Sequence, residues 1–228
     1  MRDDMAELKD FRVFADLKTD DLKKLGGLVR TIDYGAEELL FMEGAPAFGF
    51  YLVFSGAVKL VKRSSKGKSQ ILKIVGPGGL AGETTLFDKG LHNAYAKTLI
   101  PSKIGFIERG DFFYFLEHYP KTVFRFFEHV SQELKAFQNK LAERSYASSK
   151  ERLSRLILAL DRLGLELSRA ELAEMAGVSS KTAIRTLGEL ESRGIVAIDN
   201  RRISVLKEDY LKRLIEPFSV QSDEAVII

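Results

Sequence analysis

The chain has 228 residues, 45% hydrophobic, 29% charged and 10% aromatic, which is enough apolar material for one large domain or two modest ones. Its longest apolar run, around Phe50 to Phe54, is far short of the roughly 18 residues a membrane-spanning helix needs, and Met1-Arg2-Asp3-Asp4 lacks a signal-peptide core, so a cytoplasmic location without membrane contact is expected. Zero cysteines exclude disulfides, thiol catalysis and cysteine-ligated clusters, three histidines supply little metal chemistry, and 35 Lys+Arg against 32 Asp+Glu confine any nucleic-acid surface to a local patch.

Near the N-terminus, Thr19 is positioned to cap a short amphipathic helix carrying Leu22, Leu25 and Leu28. Between residues 30 and 110 short apolar stretches alternate with turn residues every 8 to 12 positions, the pattern of an antiparallel β sandwich or barrel. Strands are expected at Thr31 to Tyr34, Glu38 to Met42, Gly49 to Phe54, Ala57 to Arg63, Ser69 to Val75 and Lys103 to Glu108, with Ser64 to Lys68 as a hairpin loop.

From Asp111 the period becomes helical. Asp111 is read as the cap of a segment with Phe112, Phe115 and Leu116, and Pro120 as the first residue of a long helix, where a missing N–H costs nothing. Val123, Phe127, Val130, Leu134, Phe137 and Leu141 alternate at spacings of four and three along it. That seam suits a parallel partner helix in a homodimer, whereas a helix lying on the β domain would bury a wider stripe, to which Phe124 and Phe126 would contribute. Tyr146 to Ser149 is a small polar interruption read as a hinge.

The most informative stretch follows, from Ser168 to Leu190. Ser168 with Glu171 makes a capping box, Gly177 permits the left-handed turn that ends this helix, and Ser179 caps the next. Two helices joined by a short glycine turn form a helix-turn-helix. With Ala183, Leu187 and Leu190 inward, Ser180, Lys181, Ile184 and Arg185 share the outer face. Arg185 can fork onto guanine, Lys181 can reach guanine or phosphate, and Ile184 can touch a thymine methyl. Ile195 to Ile198 and Arg202 to Leu206 form a hairpin around Asp199-Asn200-Arg201, and its arginines Arg201 and Arg202 suit phosphates as a wing. Arg169, Ser179 and Thr182 complete the expected DNA-binding set, and residues 178 to 202 carry five bases against three acids.

From about residue 10 to 215 this order of parts resembles a transcription regulator of the cyclic-AMP receptor protein / fumarate-nitrate regulator (Crp/Fnr) superfamily, down to the glycines Gly44, Gly56, Gly67 and Gly79 and the phrase Gly82-Glu83-Thr-Thr-Leu-Phe87. The resemblance implies an α+β chain: an N-terminal antiparallel β-roll of cupin-like or jelly-roll type as sensor domain (1–118), a long dimerisation helix (119–146), a winged helix-turn-helix (147–216) and a tail (217–228). It also implies double-stranded DNA with a palindromic operator, a homodimer and RNA polymerase as partners, with Ser64 to Lys68 a loop able to meet the polymerase. In the mechanism it implies, an effector between the β-roll and the long helix would rotate the winged helices about the hinge; a regulator set by its abundance alone is the plainer form.

The departures from the family pattern bear on that effector. Cyclic-nucleotide binders follow Gly-Glu ten residues later with Arg-Ser, the arginine pairing with the cyclic phosphate; here Asn93-Ala94 stands there. Phe137-Gln138 replaces the Thr-Ser that faces adenine in cyclic-AMP responders, so cyclic AMP is not expected and Glu83 is read as a cap or loop residue. The effector pocket is placed at Gly82, Glu83, Thr84, His92, Asn93, Phe127, Phe137 and Gln138, with the cofactor unknown. Because the superfamily includes haem-based gas or nitrosative-stress sensors, haem is the alternative, with His92 a better ligand than His118 or His129; His92 otherwise reads as a solvated loop residue. No metal site and no catalytic residue are expected: there is no P-loop, nucleophile elbow or paired-carboxylate motif. A cyclic-nucleotide module without DNA binding is the reading from another class. Lys181 stands where many relatives place a glutamate that accepts from cytosine N4, so the operator is expected to share chiefly the guanine read by Arg185.

Overall fold

Strand β3 (Gly49–Ser55) shows how the N-terminal part is layered. Phe50 and Leu52 point into a core built with helices, Val53 points into a second core between two sheets, and all three are buried. Such a strand has no solvent face, which explains its continuous apolar run. The computed structural model describes residues 7–87, 90–200, 202–215 and 226–227. They fall into two compact units, residues 1–64, 72–136 and 222–228 in one and 65–71 with 137–221 in the other.

In the first unit two 3-10 turns, Leu8–Asp10 and Arg12–Phe14, precede helix α1 (Thr19–Gly26). The strands are β1 (Val29–Tyr34), β2 (Leu39–Phe41), β3, β4 (Val58–Arg63), β5 (Ser69–Val75, of which residues 72–75 belong to this unit), β6 (Leu80–Ala81), β7 (Tyr95–Thr98) and β8 (Ser102–Glu108). One sheet has the order β1-β8-β3-β6; the other has β11-β5-β4-β7-β2, where β11 is the two-residue strand Val226–Ile227 running antiparallel to β5. The inter-sheet core holds Phe41, Val53, Val58, Val75, Ala81, Ala96 and Ile104. On the other side of the first sheet, helix α2 (Arg109–His118) and the start of helix α3 (Pro120–Tyr146) close a larger core. There Phe112 meets Phe50 at 4.7 Å and Phe126 at 5.5 Å between ring centroids.

Two expected caps are displaced. Helix α1 begins at Thr19 with Lys18 at the cap position, and α2 begins at Arg109 with Glu108 there, neither making a side-chain cap bond. Asp20, Asp21 and Asp111 lie inside the first turns instead, where a carboxylate still favours the positive helix end. Strands β6 and β7 were not anticipated.

Helix α3 runs unbroken for 27 residues from Pro120, as expected. Thr122 and Phe126 are buried against the β domain, and Val123 is partly so. Phe127, Val130, Leu134, Phe137 and Leu141 are 41% to 66% exposed. Phe124 does not join Phe126: it is 72% exposed, because two residues along a helix turn a side chain about 200° away. The helix pauses only at Ala147 and Ser148.

The second unit contains helix α4 (Ser149–Leu163), α5 (Arg169–Ala176), α6 (Ser180–Ser192), the hairpin β9 (Val196–Asp199) and β10 (Arg202–Val205), and α7 (Glu208–Leu214). Ser148 and Glu151 form a capping box at the head of α4. Leu153, Ile157, Leu172, Ala183, Leu187, Leu190 and Leu211 are buried as its core. The hairpin differs from the expectation in that Asp199 pairs with Arg202 inside the ladder, and Asn200 lies in the left-handed region at φ 56°. Among the described residues no helix is long and apolar enough to cross a membrane. Arg201 and most of the tail lie outside the described residues.

Candidate functional site

The recognition surface is built by local hydrogen bonds that the sequence encodes. Ser168 Oγ accepts from Glu171 N at 3.2 Å while the Glu171 carboxylate accepts from Ser168 N at 2.8 Å, so α5 starts where the capping box requires. Gly177 ends α5 at φ 64°, a conformation that costs glycine little. Ser179 Oγ then accepts from Thr182 N at 3.1 Å and starts α6. Ala183, Leu187 and Leu190 are buried, and Ser180, Lys181, Ile184 and Arg185 are exposed together on the opposite face. Thr182 is half-buried, its hydroxyl 2.9 Å from Ser179 Oγ, so it supports the cap.

Glu189, on the same helix, is engaged by two cations. Glu189 pairs with Lys150 at 2.7 Å and with Arg193 at 3.2 Å, and Lys150 holds its carboxyl below the ordinary carboxylate range. Arg169 at the head of α5 and Arg202 in the wing are both exposed. Lys181, Arg185, Arg169 and Arg202 thus offer cations, and Ile184, 51% exposed, offers a methyl surface between Lys181 and Arg185. This is the donor set that phosphates and a major-groove edge require.

In the β domain the structure revises several expectations. Gly82 lies in the left-handed region at φ 81°, and a Cβ there would stand 3.2 Å from His92 Cε1 and 3.3 Å from Phe41. His92 is not a solvated loop residue: it is 5% exposed and stacked on Phe41 at 3.8 Å between centroids, 16° from parallel. Burial pushes its imidazole pKa down. Phe41 covers one face of the His92 ring, and His118 Nδ1 lies 2.8 Å from the Tyr114 carbonyl. Asn93 is exposed and Ala94 buried, and Lys62 Nζ donates to the Asn93 carbonyl. Thr84 lies in the same 3-10 turn as Glu83, while Phe127, Phe137 and Gln138 are exposed on α3.

Glu83 is the first residue of the 3-10 turn Glu83–Thr85, with Gly82 at the cap position, and is 2% exposed. Lys73 Nζ stands 3.0 Å from its Oε1 and 2.8 Å from Glu133 Oε2. His129 Nε2 lies 4.0 Å from the same Glu83 Oε1. Burial opposes ionisation of Glu83, but Lys73 and His129 outweigh it and hold the carboxyl well below the ordinary range. For Lys73 burial works against the charge and the two carboxylates overcome it, so its pKa is raised. Of these four residues sequence reasoning placed only Glu83 in the pocket. The signal it missed is that His129 and Glu133, four apart, share a helix face with Thr122 and Phe126, the face turned to the β domain.

A sheet domain with a buried charged cluster, followed by a helix-turn-helix and two-stranded wing with exposed cations, is the arrangement of a DNA-binding regulator. Residues 31–119 match the cyclic nucleotide-binding domain family and residues 151–214 the Crp-like helix-turn-helix domain family. The chain belongs to the Crp/Fnr family of transcription regulators, and it is a regulator, not an enzyme. It is 22% identical to the "CRP-like cAMP-activated global transcriptional regulator" of Mycobacterium tuberculosis, over 88% of this chain and 95% of that one. It is 29% identical to the "Anaerobic regulatory protein" of Bacillus subtilis, over 78% and 80%, and 27% identical to the "Cyclic AMP receptor protein" of Thermus thermophilus, over 77% and 83%. Among solved structures, FixK2 from Bradyrhizobium japonicum superposes with a TM-score of 0.74 at 22% identity, covering 84% of this chain and 99% of that one.

Proposed function

We propose that the protein is a homodimeric, sequence-specific transcription regulator in which residues 1–118 hold the effector module, 119–146 the dimer helix and 147–216 the DNA-reading module. The observation that carries this reading is the outer face of α6, where Lys181, Ile184 and Arg185 are exposed side by side in the first turns after the Ser179 cap. Arg185 forks onto a guanine, Lys181 takes a guanine or a phosphate, and Arg169, Ser180 and Arg202 hold the duplex backbone. Of the seam, Val123 is partly buried against the β domain, while Phe127, Val130, Leu134, Phe137 and Leu141 are exposed and apolar at heptad spacing, so a second copy is the partner that would cover them. Two-fold symmetry then sets two recognition helices in successive major grooves of a palindromic operator. RNA polymerase as a further partner, and action in the cytoplasm, follow from regulation of transcription.

An effector in the β domain would act by preferring one of two arrangements of the dimer. Cyclic AMP, named for the M. tuberculosis and T. thermophilus relatives, is a poor match. With Asn93 and Ala94 in place of Arg-Ser no guanidinium meets the cyclic phosphate, and the Glu83 carboxylate is already engaged by Lys73. The test is a mobility-shift titration of the full chain on operator and on unrelated duplex at two salt concentrations. Arg185→Ala is expected to weaken operator binding by about 1–3 kcal/mol with little change on unrelated DNA. Equal loss on both duplexes would overturn the reading of Arg185 as a base contact.

A further inference from the structure

Glu83, His129 and Glu133 each present a ligand atom, and the three atoms lie within 4.8 Å of one another. They come from two rigid elements of the same unit: Glu83 from the turn after β6, His129 and Glu133 from adjacent turns of α3. The cluster is incompletely satisfied. Glu83 Oε2 and His129 Nε2 are both buried without a hydrogen-bond partner among the described residues, although Glu83 is only 2% exposed. Buried polar atoms are rarely left so, and with His129 neutral and its Nε2 unprotonated both atoms offer lone pairs to a cation. The cation now present, Lys73, reaches the other Glu83 oxygen and Glu133 but not His129.

We propose that this cluster is a divalent transition-metal site, with Glu83, His129 and Glu133 as protein ligands and Lys73 as the internal cation the ion displaces. One imidazole and two carboxylates suit a zinc-, iron(II)- or cobalt(II)-like dication better than calcium or magnesium, which favour oxygen alone. Metal–nitrogen and metal–oxygen bonds of about 2.0–2.2 Å require the three atoms to draw in toward one centre. Side-chain rotation on α3 can supply that movement. With His129 neutral and Lys73 withdrawn, two carboxylates and a dication sum to neutrality. The ion would fasten the turn at Glu83 to α3, the helix that carries the seam. The proposal names the chemical class of the effector in the reading above and rests on it only for the consequence at DNA.

The experiment uses untagged full-length protein stripped of metal with chelator, titrated with Co2+ by visible absorption and with Zn2+ by calorimetry. One ion per chain is expected, with ligand-field bands from Co2+. His129→Gln and Glu133→Gln should each weaken binding at least about tenfold, a loss on the scale known for supporting metal contacts, while His118→Gln leaves it intact. Lys73→Met leaves the carboxylates without a cation, so its melting temperature should rise on adding Zn2+ by more than that of the unsubstituted chain, a readout available even if the variant is destabilised. No stoichiometric binding, or binding unchanged in both the His129 and the Glu133 variants, would overturn the site. Mobility shifts on the same samples read DNA retention separately, so failure of the metal site and failure of the DNA-binding reading give different results.

Discussion

His92 and Lys181 each carry a consequence that a single substitution can expose. Burial beside Phe41 holds the His92 imidazole below its ordinary value, so the unfolded chain takes up a proton at higher pH than the folded one. The stability that depends on a neutral ring is therefore complete above about pH 6.5 and is lost as pH falls toward the depressed folded value. Thermal melts between about pH 7.5 and pH 5 should show a fall that His92→Gln flattens; an unchanged slope in the variant would assign the fall to other groups. On α6, Lys181 has only donors where a glutamate would accept from cytosine N4. Lys181→Glu is expected to shift the preferred base at the position it faces toward cytosine, measured by competition among duplexes that differ there. His92 also marks the limit of the sequence. A lone histidine in a glycine-flanked loop reads as solvated, whereas backbone bonds from His92 N to the Ala45 carbonyl and from Gly44 N to the His92 carbonyl, with Gly82 packed close by, seat its ring on Phe41.

Among the elements, the helix-turn-helix was legible because its signals are local. The Ser168/Glu171 box, the turn at Gly177 and the Ser179 cap each act within four residues, and all form as expected. Gly177→Ala forces a Cβ into the left-handed region and is expected to cost roughly 1 kcal/mol, and Ser168→Ala removes an N-cap for about the same; denaturant midpoints would measure both. The β domain was legible where strands are long and apolar and not where they are short. Strand β6 has two residues between glycines, and β7 carries Lys97 in four, so neither shows a period, and tertiary pairing alone makes them strands. The caps at Thr19 and Asp111 failed for a related reason: packing of Leu22, Phe112 and Phe115 sets where those helices start, and the preferred cap residues end up within the first turn. For α3, Leu134→Asp places like charges across the seam of a dimer and is expected to yield monomer in sedimentation equilibrium, whereas a distribution unchanged from the parent would remove the seam from the interface.

At the scale of the whole molecule, the near-neutral charge of the chain conceals a division of labour. In the second unit Arg169, Lys181, Arg185 and Arg202 are exposed on α5, α6 and the wing, while in the first unit Lys73 is engaged by the buried Glu83 and the partly buried Glu133. The former is visible in a count of local charges; the latter is not, because Lys73, Glu83, His129 and Glu133 are separated by up to 60 residues and only the packing of α3 on the sheet brings them together. The central claim is that two copies of α6 read two guanine-bearing half-sites one helical turn apart. Selection from a random duplex pool tests it most directly. The account predicts enriched sequences with two-fold symmetry, half-sites about 10 base pairs apart and a guanine in each that Arg185→Ala ceases to select. Recovery of the unmodified half-site of the cyclic-AMP responders, or no enrichment even at low salt, would contradict it.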